Sequence, residues 1–178
     1  PYYFNIAENL DFTIKPTNFS GRGLMMEGEL RYKTGNSNTV IEMANLKKDD
    51  VYGKNRHAYF IRDDRIFNST LKQVDDKWVG TEVTSSINIG GISDINYFDD
   101  FSSSVSRVGR THITRVFKVS RIDYNEFGYF SSSIGATDYQ LAKSGLNEQY
   151  SVLPRIKLNY ISPRNNKQIN YNFEGEIA

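Results

Sequence analysis

The chain contains no cysteine, so none of its residues can form a disulfide or supply a thiolate ligand or nucleophile. That absence leaves the compartment open. Histidine occurs twice, as His57 and His112. Neither has the spacing to a second ligand or to a nucleophile that a metal centre or a triad requires. Long apolar runs are missing as well, which excludes a transmembrane helix of about 20 apolar residues. No sign of charge dominates: 22 Lys and Arg against 21 Asp and Glu give a formal charge of +1. Charges are interspersed, whereas a nucleic-acid surface calls for a clear basic excess. Gly21-Arg22-Gly23 and Gly90-Gly91 are too short and wrongly placed for phosphate loops, which link a strand to a helix. No catalytic motif and no cofactor signature emerges, and the chain reads as a non-enzyme. Pro1 opens in mid-pattern without a basic and apolar leader, so the reading is a mature or excised segment.

What the chain does have is alternation. Leu10, Phe12, Ile14 and Pro16 oppose Asp11, Thr13, Lys15 and Thr17; Leu24, Met26, Gly28, Leu30 and Tyr32 oppose Met25, Glu27, Glu29, Arg31 and Lys33. Val152, Pro154, Ile156, Leu158 and Tyr160 oppose Leu153, Arg155, Lys157 and Asn159. Ile169, Tyr171, Phe173, Gly175 and Ile177 oppose Gln168, Asn170, Asn172, Glu174 and Glu176. Period two marks strands with one apolar face, and no 3.6 period competes with it. Turn chemistry separates the runs at Ala7-Glu8-Asn9, Ser20 to Gly23, Thr34 to Asn38, Val74 to Lys77, Asn125 to Gly128 and Ser162 to Asn166. The expectation is an all-β, antiparallel meander of about ten hairpin-linked strands in a single segment, residues 1–178. Two connections are longer, Lys47 to Arg56 and Gly90 to Arg110, and barrel architecture places the longer loops outside. The inward face stays unassigned in 39–64 and 111–124, where alternation is impure.

Two architectures suit such strands. Lengths of about 9 to 12 residues match tilted strands crossing a membrane, and 12 Tyr with 11 Phe would serve the interfacial girdles of an outer-membrane barrel. Trp78, the single tryptophan, begins a strand after a turn, where an interface anchor fits. The alternative is a soluble β-sandwich or jelly roll, whose apolar faces need a second layer. Four Asp-Asp pairs, at 49–50, 63–64, 75–76 and 99–100, read as turn and loop chemistry, since neighbours on a strand point to opposite faces; calcium at the loops is the other option.

The opening Pro1-Tyr2-Tyr3-Phe4-Asn5-Ile6-Ala7-Glu8-Asn9-Leu10-Asp11-Phe12-Thr13-Ile14-Lys15-Pro16, with Ser20 to Leu24 and Glu27 to Tyr32, resembles the start of the outer-membrane barrel of the LptD lipopolysaccharide-assembly family. The likeness returns at Ile95 to Phe101 and Tyr150 to Tyr160, while 39–94 match only in strand rhythm. The resemblance implies the first part of a very large transmembrane β-barrel in a Gram-negative outer membrane. It implies transport of lipopolysaccharide without chemical change, an LptE lipoprotein plug inside, and an LptA bridge reaching a periplasmic jelly-roll domain. That domain and the remaining strands would lie outside this segment. Pro1 and Pro16 match two prolines of the family that weaken pairing at a lateral gate. The expected lumen-facing polar set is Asp11, Lys15, Glu27, Glu29, Arg31, Arg155, Lys157, Glu174 and Glu176. A porin-like or substrate-specific channel is the competing membrane function.

Overall fold

Alternation translates into strands almost without remainder. The computed structural model describes residues 1–74, 77–101, 105, 111–126, 128–162 and 172–178. The strands are β1 (Tyr2–Ala7), β2 (Leu10–Phe19), β3 (Gly23–Lys33), β4 (Ser37–Leu46), β5 (Arg56–Ser69), β6 (Lys72–Val74), β7 (Lys77–Ile92), β8 (His112–Asn125), β9 (Gly128–Leu141), β10 (Val152–Ile161) and β11 (Asn172–Ile177). A four-residue helix, α1 (Tyr97–Asp100), interrupts the β7–β8 connection. Among the described residues, no helix is long and apolar enough to cross a membrane, which says nothing of strands. The expected residues Asp75, Asp76, Phe127 and Pro163 to Tyr171 lie outside the described residues, as do 102–104 and 106–110 of the second long connection.

One sheet holds everything, in the order β1-β2-β3-β4-β5-β7-β8-β9-β10-β11, with β6 pairing only β7. Every neighbouring pair is antiparallel. The path does not close: β1 and β11 are its two ends. Connections after β2, β4, β7 and β9 leave one end of the sheet and those after β1, β3, β5, β8 and β10 the other, so both long connections emerge together.

Opposed residues in an antiparallel ladder share a face, so register assigns every strand, including those that alternation alone left open. One row runs Phe4, Phe12, Leu30, Ile41, Ile61 and Ile89 across six strands. On the same face, Ser85, Val119, Ile134, Ile156 and Ile177 make a row over β7 to β11. Among the described residues these side chains have no second layer: Phe4 is 51% exposed, Met43 59%, Phe117 45% and Ile134 50%. A sandwich would have covered this face, so the soluble alternative does not describe the sheet. On β5 both ends of the apolar belt turn polar. Asp63 and Arg65 follow Ile61 toward one end of β5, and His57 follows Tyr59 toward the other.

The opposite face carries Asp11, Arg31, Val40, Arg62 and Asn88 in one row, and Asn38, Asp64, Ser86, Lys118, Gly135 and Arg155 in another. This face is not wet throughout. At the end of the sheet where the long connections emerge, Tyr97, Phe98 and Phe101 fold back over it. They cover Met25, Leu46, Ala58, Phe60 and Ile92 in a small dry core. Met25 therefore sits among the polar residues of β3 in sequence yet is fully buried. A correction concerns β10. The register shifts by one between Val152 and Arg155, so Val152 opposes Thr137 and Arg155 opposes Gly135. That irregularity puts Val152 on the polar face and off the apolar row of Ile156.

Candidate functional site

Among the described residues, the seam between β1 and β2 is the shortest ladder on the path from β1 to β11. All six residues of β1 are exposed. Five register pairs join it to β2, with an irregularity between Asn5 and Ala7, where ten join β2 to β3. The last pair is Tyr2 with Ile14; continuing that register puts Pro1 opposite Lys15, one residue from Pro16. Both prolines therefore meet at the same end of one seam. Proline has no N–H to give a ladder, and Pro16 lies within β2 opposite Met26, in an unbroken β2–β3 register. The stacked rings of Phe4 and Phe12, 6.3 Å between centroids, form the aromatic contact across the seam.

The nine expected polar residues all lie on one face, in two groups at opposite sides of the sheet. On β2 and β3, Arg31 Nε donates to Asp11 Oδ1 at 2.9 Å and stands 3.4 Å from Glu29 Oε1. Lys15 Nζ is 2.9 Å from Glu27 Oε2, which also accepts from the Thr17 hydroxyl at 3.1 Å. On β10 and β11, Arg155 Nε and Lys157 Nζ each approach the Glu176 carboxylate to 2.9 Å. Glu174 opposes Asn159 one row away. Pairs of mixed sign keep each local charge small, so this face holds an anion less tightly than a uniformly basic wall would.

Alternation gave no hint of the cluster at the capped end. Arg56 is fully buried and forks onto Asp94, with Nε to Oδ2 at 2.9 Å and Nη2 to Oδ1 at 2.8 Å. Its Nη1 donates to Asp49 at 3.2 Å and to Asp100. Arg22 closes the network, donating to Asp49 at 2.9 Å and to Asp100 at 2.6 Å. Tyr52 and Phe101 stack on the Arg56 guanidinium at 4.1 and 4.7 Å, a cation–π arrangement strengthened by desolvation. Burial opposes the charge on Asp49, but the Val51 N–H, Arg22 and Arg56 hold its carboxyl below the usual range. Asp94 is held low in the same way, against burial, by Arg56 and Ser93. Two of the Asp pairs thus contribute to an ion-pair network, and Asp63 and Asp64 point to opposite faces as strand geometry demands. Among the described residues no group of acids and histidines is arranged to hold a metal. His112 Nε2 lies 3.0 Å from the Asn147 carbonyl, and His57 sits on the opposite face of β5 from Arg56.

An open antiparallel wall of long strands, with an uncovered apolar belt on one face and paired charges on the other, defines a segment of a β-barrel wall. The sequence model of LptD, LPS transport system D, matches residues 54–178, and the chain belongs to that family. It is 32% identical over 162 residues to the LPS-assembly protein LptD of Idiomarina loihiensis, covering 90% of this chain and 19% of that protein. The protein of the same name in Pseudomonas aeruginosa (strain LESB58) is 32% identical over 185 residues, covering 100% of this chain and 18% of its own. In Vibrio vulnificus (strain YJ016) the identity is 25% over 180 residues, with 100% and 21% covered. The opening with its two prolines falls outside the family-model match but inside the latter two pairwise ones. The chain spans about a fifth of the length of these relatives.

Proposed function

We propose that this chain is the first stretch of wall of an outer-membrane translocon that delivers lipopolysaccharide to the outer leaflet, with β1 and β2 as one jamb of a lateral gate. The observation that carries the reading is the division of faces: an uncovered apolar belt, backed by a charged face, beside a short seam with two prolines at one end. Lipid tails cover the belt and the polar face looks into an aqueous lumen. The lumen also receives an LptE plug, while LptA hands over cargo through a periplasmic domain preceding Pro1 in the complete protein.

The seam makes physical sense of the cargo. Each methylene of an acyl chain dragged through water costs about 0.8 kcal/mol, so a route that lets tails slip sideways into lipid while sugars pass through the lumen avoids the largest penalty. Opening a ladder inside a bilayer costs several kcal/mol per unsatisfied backbone group. A gate is therefore feasible where the ladder is short and proline has already removed donors.

The test replaces Pro16 in the full-length protein. Pro16→Val returns an N–H and a strand-favouring side chain to β2. The expected outcome is a tighter seam, slower arrival of lipopolysaccharide at the surface and increased permeability to large antibiotics. A general diffusion channel would tolerate the change with its barrier intact, and that result would favour the porin-like alternative.

A further inference from the structure

We propose that Arg22 and Phe101 are positioning residues for the gate: they tie the β2–β3 turn to the roof of the small core, so that β2 stays with the wall while β1 moves. The inference rests on the gate reading above and names the part that holds one side of the seam still. Topology brings the two residues together. The β2–β3 turn leaves the sheet at the end where the long connections emerge, and α1 lies in one of those connections. Pro1 and Pro16 are at that same end, with Pro16 close before Phe19. The roofed core gathers residues from β7, β5, β4 and β3, and Phe19 of β2 packs against it.

Three ties hold the turn. The Asp50 N–H donates to the Arg22 carbonyl at 3.1 Å. The Arg22 guanidinium donates through Nη1 to Asp49 at 2.9 Å and through Nη2 to Asp100 at 2.6 Å, joining one carboxylate from each long connection. Asp49 is fully buried, so its bond to Arg22 is little screened. The Phe19 ring meets Phe101 edge-on, 5.1 Å between centroids, and the guanidinium lies 5.5 Å from the same ring. The turn closes without these contacts, since the Arg22 N–H already donates to the Phe19 carbonyl at 3.0 Å. They fix where the hairpin stands rather than its shape.

Pro16 supplies the need. A strand inside a sheet has a ladder on each side, and β2 lacks one donor at the end where its ladder to β1 also runs out. Its hold on a neighbour is therefore weakened where β1 is to come away. Untied, β2 could follow β1, and the wall would part between β2 and β3. All six residues of β1 are exposed and none belongs to the core. With β2 braced and β1 free, separation falls between them.

Amide exchange and lipopolysaccharide delivery, measured on the full-length protein in its membrane at matched abundance, test the assignment in Arg22→Met, Arg22→Lys, Phe101→Leu and Tyr52→Leu. Tyr52 stacks on Arg56 and accepts from Asn96, so Tyr52→Leu loosens the roof away from the turn. In Arg22→Met, protection at 17–19 and 23–26 should fall at least about tenfold, the scale of a lost charged hydrogen bond. Arg22→Lys keeps the charge and should recover to within about threefold. Phe101→Leu should follow Arg22→Met in direction, and Tyr52→Leu should lose protection at 97–101 but change 17–19 by less than about twofold. Delivery slows in Arg22→Met and Phe101→Leu and holds in Tyr52→Leu. Unchanged protection at 17–19 in Arg22→Met overturns the tie, and an equal loss there in Tyr52→Leu overturns positioning in favour of general stabilisation. Delivery unchanged in Arg22→Met but slowed in Pro16→Val overturns the positioning role and leaves the gate standing; delivery unchanged in both removes the gate and the positioning role together.

Discussion

At Arg56 the balance between desolvation and pairing is most acute, because a fully buried guanidinium is tolerable only with its partners present. Removing it leaves Asp94 without its cation and Asp49 and Asp100 with Arg22 alone, around an apolar hole. Arg56→Met should therefore destabilise the cap by about 3–5 kcal/mol, the range for breaking a buried ion pair. Adding Asp94→Asn and Asp100→Asn should recover part of that loss, since fewer charges are then left unpaired. Amide hydrogen exchange of residues 97–101 in the three proteins measures both effects. The same cluster fixes a pH dependence. Asp49 and Asp94 have carboxyls held below their ordinary range, so the unfolded state binds protons first as pH falls. Their stabilisation is fully present above the unfolded value of about 3.9 and is lost as pH drops through the lower folded values. The protection factor at 97–101, the exchange rate corrected for its intrinsic pH dependence, should fall below about pH 4 and stay flat between about pH 5 and 8; a fall starting near pH 6 would exclude these two carboxylates as the cause.

Strands show what could be read from sequence and what could not. β2 and β3 followed alternation residue by residue, because each position faces either the belt or the charged side and nothing covers most of either. Reading failed where a third element intervenes. Met25 looked misplaced among polar neighbours until α1 was seen to roof it, a contact between residues more than 70 positions apart that no local period can encode. Arg56 and Asp49 read as ordinary loop charge for the same reason. In β10 one inserted residue inverted Val152, a slip that period two cannot signal from one strand alone. β8 was not legible alone because it mixes Arg115, Lys118 and Arg121 with Val116, Phe117 and Val119, so only pairing with β7 and β9 told its faces apart. Glycine adds a testable detail at this scale. Gly91 opposes Tyr59, and a Cβ there would approach the Tyr59 ring to 2.7 Å. The ring lies over the bare glycine, an aromatic cover that pins cross-strand register. Gly91→Ala should push Tyr59 off its rotamer at a cost of about 0.5–1.5 kcal/mol, read as a lowered unfolding midpoint; an unchanged midpoint would show that the ring moves freely.

For the molecule as a whole, the division of faces makes opposite demands in water and in lipid, and one substitution separates them. Ile134 is half exposed, at the middle of the belt on β9 between Val119 and Ile156. In a sheet whose belt met water, Ile134→Arg would be nearly neutral or mildly favourable, since an exposed apolar side chain gives way to a solvated one. In a wall whose belt meets acyl chains, the same arginine near the bilayer midplane costs about 2–4 kcal/mol. Thr84→Arg, on the opposite, charged face, is the control: if that face meets water, the change should be tolerated within about 0.5 kcal/mol. Both variants belong in the full-length protein, because an open sheet with two unpaired edges is not a stable body in a bilayer. Equilibrium unfolding from lipid vesicles supplies the comparison. A loss confined to Ile134→Arg supports lipid against the belt and a wet lumen behind it. Equal tolerance of both arginines would mean that the belt meets no hydrocarbon, and the gate proposed at Pro1 and Pro16 would then have no membrane to open into.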